Sequence, residues 1–174
     1  MKYCAFLRGV NVKGTNMKMA EVCKVFNEAG MKEVGSVLAS GNIIFSSGEK
    51  EKELKLKLEK AMSDHFSYEA YLFLKSDKEI EEIWNKNPFE KKDNFHIYAF
   101  IGSPEVENTL MKEFENASKT EDEKGTIVDH VFYWQVSKGN TLDSSFGKVL
   151  GKKSLKDKVT SRNINTFEKL VNKM

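Results

Sequence analysis

The sequence predicts an α+β protein, and three observations carry that prediction. Short β-rich runs with strand alternation recur along its 174 residues. Between them lie segments whose apolar residues repeat at helical spacing. In the first half the two kinds of segment follow one another as β-α-β-β-α-β, the ferredoxin-like α/β plait order.

Tyr3 to Leu7 reads as a buried strand. After a polar loop, Met19, Val22, Cys23 and Phe26 fall at i, i+3, i+4 and i+7, the stripe of an amphipathic helix. Gly30 is placed to stop that helix. Val34 to Ala39 and Ile43 to Ser46 flank Ser40-Gly41-Asn42, so a hairpin is expected, with Gly41 supplying the positive φ of the turn. Leu54, Leu58, Met62 and Phe66 recur every four residues among alternating Lys and Glu, which predicts one long helix over 49–66 with a solvated charged face. Tyr68 to Leu74 returns as a strand.

Ser76 with Glu79 three residues on forms a capping box, and Ile80, Ile83 and Trp84 give the next short helix its buried face. Asn87-Pro88-Phe89 ends it, because the residue before proline is pushed out of the α region. The charged link Glu90 to Asp93 marks the expected seam between two halves, 1–88 and 89–174. The second half opens with Phe95 to Ile101 as a strand, then Ser103 as N-cap and Pro104 in the first helical position. Val106, Leu110, Met111 and Phe114 form the core-facing stripe that follows. Thr126 to Val136 supplies one bent strand or two. Helices are expected around 144–150 and 164–171, so this half reads β-α-β-(β)-α-α, an echo of the first in element order.

A chain of this length buries roughly 70% of the surface its unfolded form exposes, enough for a core without disulfide staples. Cys4 and Cys23 have no metal spacing, and a reduced cytoplasmic setting is expected. Neither a signal peptide's apolar stretch nor a membrane span is visible. The net charge of +2 spreads evenly, except for Lys148, Lys152, Lys153, Lys156, Lys158 and Arg162, which face only Asp157 in their segment.

Three polar stretches are candidates for chemistry. Gly9-Val10-Asn11-Val12-Lys13-Gly14-Thr15 lies between a strand and a helix, where backbone N–H groups can meet phosphates. It is not a P-loop, because the lysine precedes the second glycine instead of following it. Arg8 and Lys13 still flank the loop, and charge-assisted hydrogen bonds of roughly 1.5–3 kcal/mol each could hold an anion there. The alternative is that Arg8 and Asn11 tie the loop to neighbouring backbone. Ser40-Gly41-Asn42 is by itself a turn. Thr160-Ser161-Arg162-Asn163 stands before a helix, where Ser161 or Asn163 would cap and Arg162 has no evident structural duty. His65, His96 and His130 lack metal-ligand spacing, and Asp129-His130 has no nucleophile motif to serve.

Taken jointly, Leu7-Arg8-Gly9-Val10-Asn11-Val12, Ala39-Ser40-Gly41-Asn42-Ile43-Ile44-Phe45 and Thr160-Ser161-Arg162-Asn163-Ile164-Asn165-Thr166 resemble the bacterial domain of unknown function numbered 1697. Asn87-Pro88-Phe89 fits as well. The sequence departs from that family's pattern at Lys13, where glycine is common, and at Ile164, where tryptophan often follows the Arg-Asn pair. The resemblance implies two ferredoxin-like α/β plait halves and implies no activity.

The expected function is a binding module in which Arg8, Asn11, Lys13, Ser40, Asn42, Arg162 and Asn163 hold an anionic ligand, whether nucleotide, phosphate or nucleic-acid backbone. No cofactor or metal is expected. One alternative is an enzyme on a phosphorylated or carboxylated small molecule, with Arg8 and Arg162 as electrostatic clamps and no assignable base or nucleophile. Another is a structural protein-interaction domain.

Overall fold

The computed structural model describes residues 1–10 and 16–174. The chain forms two compact units, Met1–Ile80 with Lys169–Met174, and Glu81–Glu168. Each contains one four-stranded antiparallel sheet.

In the first unit the elements run β1 (Lys2–Arg8), α1 (Met19–Glu28), β2 (Lys32–Ser36), β3 (Asn42–Ser46), α2 (Glu51–Phe66) and β4 (Tyr71–Ser76). The sheet order is β2-β3-β1-β4, as the plait requires. Strand alternation sorts the side chains. Tyr3, Ala5 and Leu7 of β1 join Ile43, Phe45, Leu72 and Leu74 against Val22 and Phe26 of α1 and Leu54, Leu58 and Met62 of α2. Cys4 and Phe6 point to the other face and are fully buried too, so β1 is apolar on both sides. Gly30, at φ 89°, follows α1 and donates its N–H to the Asn27 carbonyl.

The outer edge of β4 is closed by side chains. Glu59 accepts the Leu72 N–H at 3.1 Å, Lys55 donates to the Leu72 carbonyl, and Ser63 accepts the Ala70 N–H at 3.0 Å. Glu79 does the same for Ser76, accepting its N–H at 2.8 Å and its hydroxyl at 2.9 Å. That pair is the expected capping box of α3 (Asp77–Asn85).

The second unit repeats the order: β5 (Phe95–Gly102), α4 (Val106–Asn116), β6 (Lys124–Val128), β7 (Val131–Ser137) and β8 (Val159–Asn163), then α5 from Ile164 to Val171. Its sheet reads β6-β7-β5-β8, the same plait. Asp129 and His130, at φ 46° and 63°, make the two-residue turn between β6 and β7. Two left-handed residues match the twist of a tight hairpin.

Three expectations are corrected here. Thr160 to Asn163 stands directly before a helix as expected, but it is itself a strand, pairing with β5 from Ile101–Thr160 to Tyr98–Asn163. The expected helix over 144–150 is a pair of 3-10 turns, Gly147–Gly151 and Lys153–Leu155. A Cβ at Gly147 would overlap the Thr141 carbonyl, and this segment folds too tightly for an α-helix. Ser103 does not cap α4 either: its N–H is donated to the Lys158 carbonyl at 2.8 Å, and the helix begins after Glu105, at φ 65°.

The crossover from β7 to β8 still fills the core as a second plait helix would. Phe146 is fully buried among the rings of Phe100, Phe114, Phe132 and Trp134, with centroids 5.0–6.0 Å away. Val149 and Leu155 complete that side. Phe146 and Val149 stand three residues apart, a spacing that suits a 3-10 turn as well as an α-helix.

Candidate functional site

The residues at the end of β1 and the turn before β3 meet in the first unit. Arg8 is half-buried and strand-paired with Tyr71, Gly9 takes φ 80°, and Val10 is buried. Asn11 and Lys13 lie outside the described residues. Gly41, at φ 77°, accepts the Leu7 N–H on its carbonyl at 2.8 Å, and a Cβ there would stand 3.0 Å from Leu7 and Val10 side-chain carbons. Only glycine seats the turn this closely against β1.

Asn42 is fully buried and holds the turn closed. Its Nδ2 donates to the Val37 carbonyl at 2.8 Å and to Ser40 Oγ at 2.9 Å, while its own carbonyl accepts the Val37 N–H. The Ser40-Gly41-Asn42 motif thus has a structural duty in closing the turn.

Arg162 and Asn163 belong to the second unit. The Arg162 guanidinium is buried and lies along its own strand, donating to Thr160 Oγ1 and to the Ser161 carbonyl, both at 2.8 Å. It is therefore not the head of an exposed cationic stripe. Lys152 of the same basic segment is paired with Glu113 at 2.8 Å.

Asn163 is the N-cap of α5, with Oδ1 accepting the Asn165 N–H at 3.0 Å. Its Nδ2 lies 3.1 Å from His96 Nδ1, across the β5–β8 pairing. The two residues line a cavity of about 230 Å³ with Lys91, Lys92, Asp93 and Lys138. Lys91 is committed to Glu168 at 2.7 Å and lies over the Trp84 ring. Lys92 reaches the exposed Glu90 at 3.8 Å and no other carboxylate among the described residues. Lys138, whose N–H is donated to the Asn94 carbonyl, has no ion pair among the described residues. Burial, and after it the charge of Lys138, push the His96 pKa below its ordinary value.

The cavity is therefore cationic, opens at a helix N-terminus, and contains one imidazole whose neutral form its surroundings favour. It can take a small anion, because lysine ammoniums and the positive end of a helix both favour negative charge. Reading the sequence missed Lys92, His96 and Lys138. His96 sits in the alternation of a strand, and the lysines sit in polar connections. Only the pairing of β5 with β7 and β8 assembles them.

The other candidates have ordinary uses. Asp129 pairs with Lys86 at 2.7 Å, and the exposed His130 ring stands 3.3 Å from the buried carboxylate of Glu107. Among the described residues no group of three or more His, Cys, Asp or Glu could hold a metal, and Cys4 and Cys23 are in no disulfide. Among them also, no helix is long and apolar enough to cross a membrane.

Comparison with known proteins adds the fold and the family. The family model described as "Protein of unknown function (DUF1697)" matches residues 1–133. Among solved structures, the conserved bacterial protein SP0830 from Streptococcus pneumoniae is similar, with a TM-score of 0.77 and 24% identity over 98% of this chain and 97% of that one. At that identity the likeness is one of fold. No curated protein matches the chain.

Proposed function

Since the chain belongs to the DUF1697 family, whose description assigns no activity, we propose from its own geometry that it is a binding module for a small phosphate-bearing anion. The observation that carries this reading is the cavity formed by Lys92, Lys138, His96 and Asn163 at the mouth of α5. Its volume of about 230 Å³ lies below the 300–1,000 Å³ typical of pockets that swallow a drug-sized ligand. A phosphate, or the phosphoryl end of a larger molecule, fits that size. Two ammonium groups with weak or absent counter-ions favour a dianion over a neutral ligand. Arg8, with Asn11 and Lys13 in the adjoining segment, remains a second candidate anion contact in the first unit.

A thermal-shift series tests this at constant ionic strength, with inorganic phosphate, a nucleoside monophosphate and acetate as the varied anions. A ligand at a hundred times its dissociation constant adds roughly 2.7 kcal/mol of stability. Phosphate and the monophosphate are expected to raise Tm in a saturable way and acetate much less. Equal, non-saturating effects from all three contradict the proposal. A response confined to short oligonucleotides, falling steeply with salt, would move the reading to a nucleic-acid backbone.

A further inference from the structure

The hydrogen bonds around Asn163 settle more than the cap of α5. A backbone N–H can only donate, so the Asn163 atom facing Asn165 is Oδ1. The amide nitrogen, Nδ2, is then the atom turned toward His96. Nδ2 can only donate, so His96 Nδ1 must accept, and a neutral imidazole that accepts at Nδ1 carries its proton on Nε2.

We infer that Asn163 is a positioning residue that locks His96 as the Nε2–H tautomer, giving the cationic cavity a neutral donor for a phosphoryl oxygen. The inference rests on the anion-binding reading for its ligand, but the lock itself does not need that ligand. Its energetic logic is direct. Protonating His96 at Nδ1 would set an N–H against the Asn163 amide, two donors with no acceptor between them. The ring could then charge only by giving up that hydrogen bond and disturbing the cap of α5.

The charged surroundings of the ring act in the same direction. Lys91, Lys92 and Lys138 line its cavity, with Asp93 the one carboxylate among the lining residues. The Tyr98 ring lies 5.9 Å away on the same strand face. The cations oppose a fourth positive charge, and a bound dianion would reverse that balance. Phosphate should thus raise the His96 pKa while drawing on the Nε2 proton as a hydrogen-bond donor.

The test is long-range ¹H–¹⁵N correlation spectroscopy of the full chain with labelled histidine, at a pH above the ordinary histidine value, without and with inorganic phosphate. The wild type is expected to show His96 as a single Nε2–H tautomer, and phosphate to raise its pKa. In Asn163→Asp, an equally good N-cap, the carboxylate accepts from both Asn165 N–H and the ring. His96 should then become Nδ1–H with a raised pKa, at nearly unchanged Tm. Phosphate affinity should fall by about tenfold or more, as expected for a lost charge-assisted hydrogen bond and an added negative charge.

A wild-type His96 that mixes tautomers overturns the lock. So does an unchanged tautomer in Asn163→Asp. A locked tautomer with no response to phosphate overturns the anion site and leaves the lock standing. An unlocked ring with a saturable phosphate response does the reverse.

Discussion

The indole N–H of Trp134 donates to the Glu123 carboxylate at 3.0 Å, and both side chains are buried. Trp134 is a strand residue of the second core, whereas Glu123 ends the polar connection before β6. Their bond pins that connection to the sheet. Glu123→Ala should cost about 1–3 kcal/mol, because the indole N–H is left buried without its acceptor. Chemical denaturation checks the loss, and a Trp134→Phe, Glu123→Ala double variant should lose less than the sum of the singles.

Phe146 holds the place of a missing helix, and its replacement should be costly. Phe146→Ala is expected to lose about 3–5 kcal/mol, the range for truncating a buried aromatic. Phe146→Leu should lose distinctly less. Near-ultraviolet circular dichroism should change as well, since the Trp134 ring packs edge-on against Phe146 at 5.0 Å.

Glu59 guards a sheet edge. Its carboxylate occupies the outward N–H of Leu72 on the edge strand β4, and an uncovered strand edge is a template for pairing with another chain. Glu59→Ala should cost about 0.5–1.5 kcal/mol, the worth of a typical hydrogen bond. It should also produce concentration-dependent self-association in sedimentation velocity, absent from the parent.

Acid should expose the capping box. Burial pushes the Glu79 carboxyl up, but the hydrogen bond from Lys75, those from Ser76 and the charge of Lys75 together outweigh it and hold the pKa below the ordinary carboxylate value. A pKa depressed by folding contributes stability above the unfolded value, roughly 4.3, and loses it as pH falls through the folded value. Glu79→Gln should therefore flatten the decline of stability with pH on the acid side of that value, measured by denaturation across the acid range. Near neutrality it should be less stable than the parent.

Tyr68 offers the opposite case. Its hydroxyl is buried with no hydrogen-bond partner among the described residues, and burial, then the Glu59 charge, push its pKa up to about 12. An unsatisfied buried hydroxyl is a cost to the folded state. Tyr68→Phe should leave stability unchanged or raise it by about 1 kcal/mol, in contrast to ordinary core substitutions.

Much of the fold was legible because the first unit obeys simple periods. The stripe Val22 to Phe26, the four-residue repeat from Leu54 and the Ser76–Glu79 box each became the element it suggested. β8 was hidden by composition: Thr160-Ser161-Arg162-Asn163 has no apolar alternation, and an edge strand needs little. The crossover was expected as a helix over 144–150, and the crowding around Gly147, which no local pattern announces, gives the tighter turn. The partial site was visible in Asn163 alone. His96 lies 67 residues away from it in sequence, and no local pattern announces a partner that a sheet supplies.

The most direct test of the central claim is a phosphate titration at constant ionic strength followed by backbone amide shifts. The account predicts saturable changes confined to residues 91–96, 138 and 163–165, weakened strongly in Lys138→Ala while the fold is kept. Changes spread evenly over every exposed lysine, or none in that cavity at saturating phosphate, would contradict it.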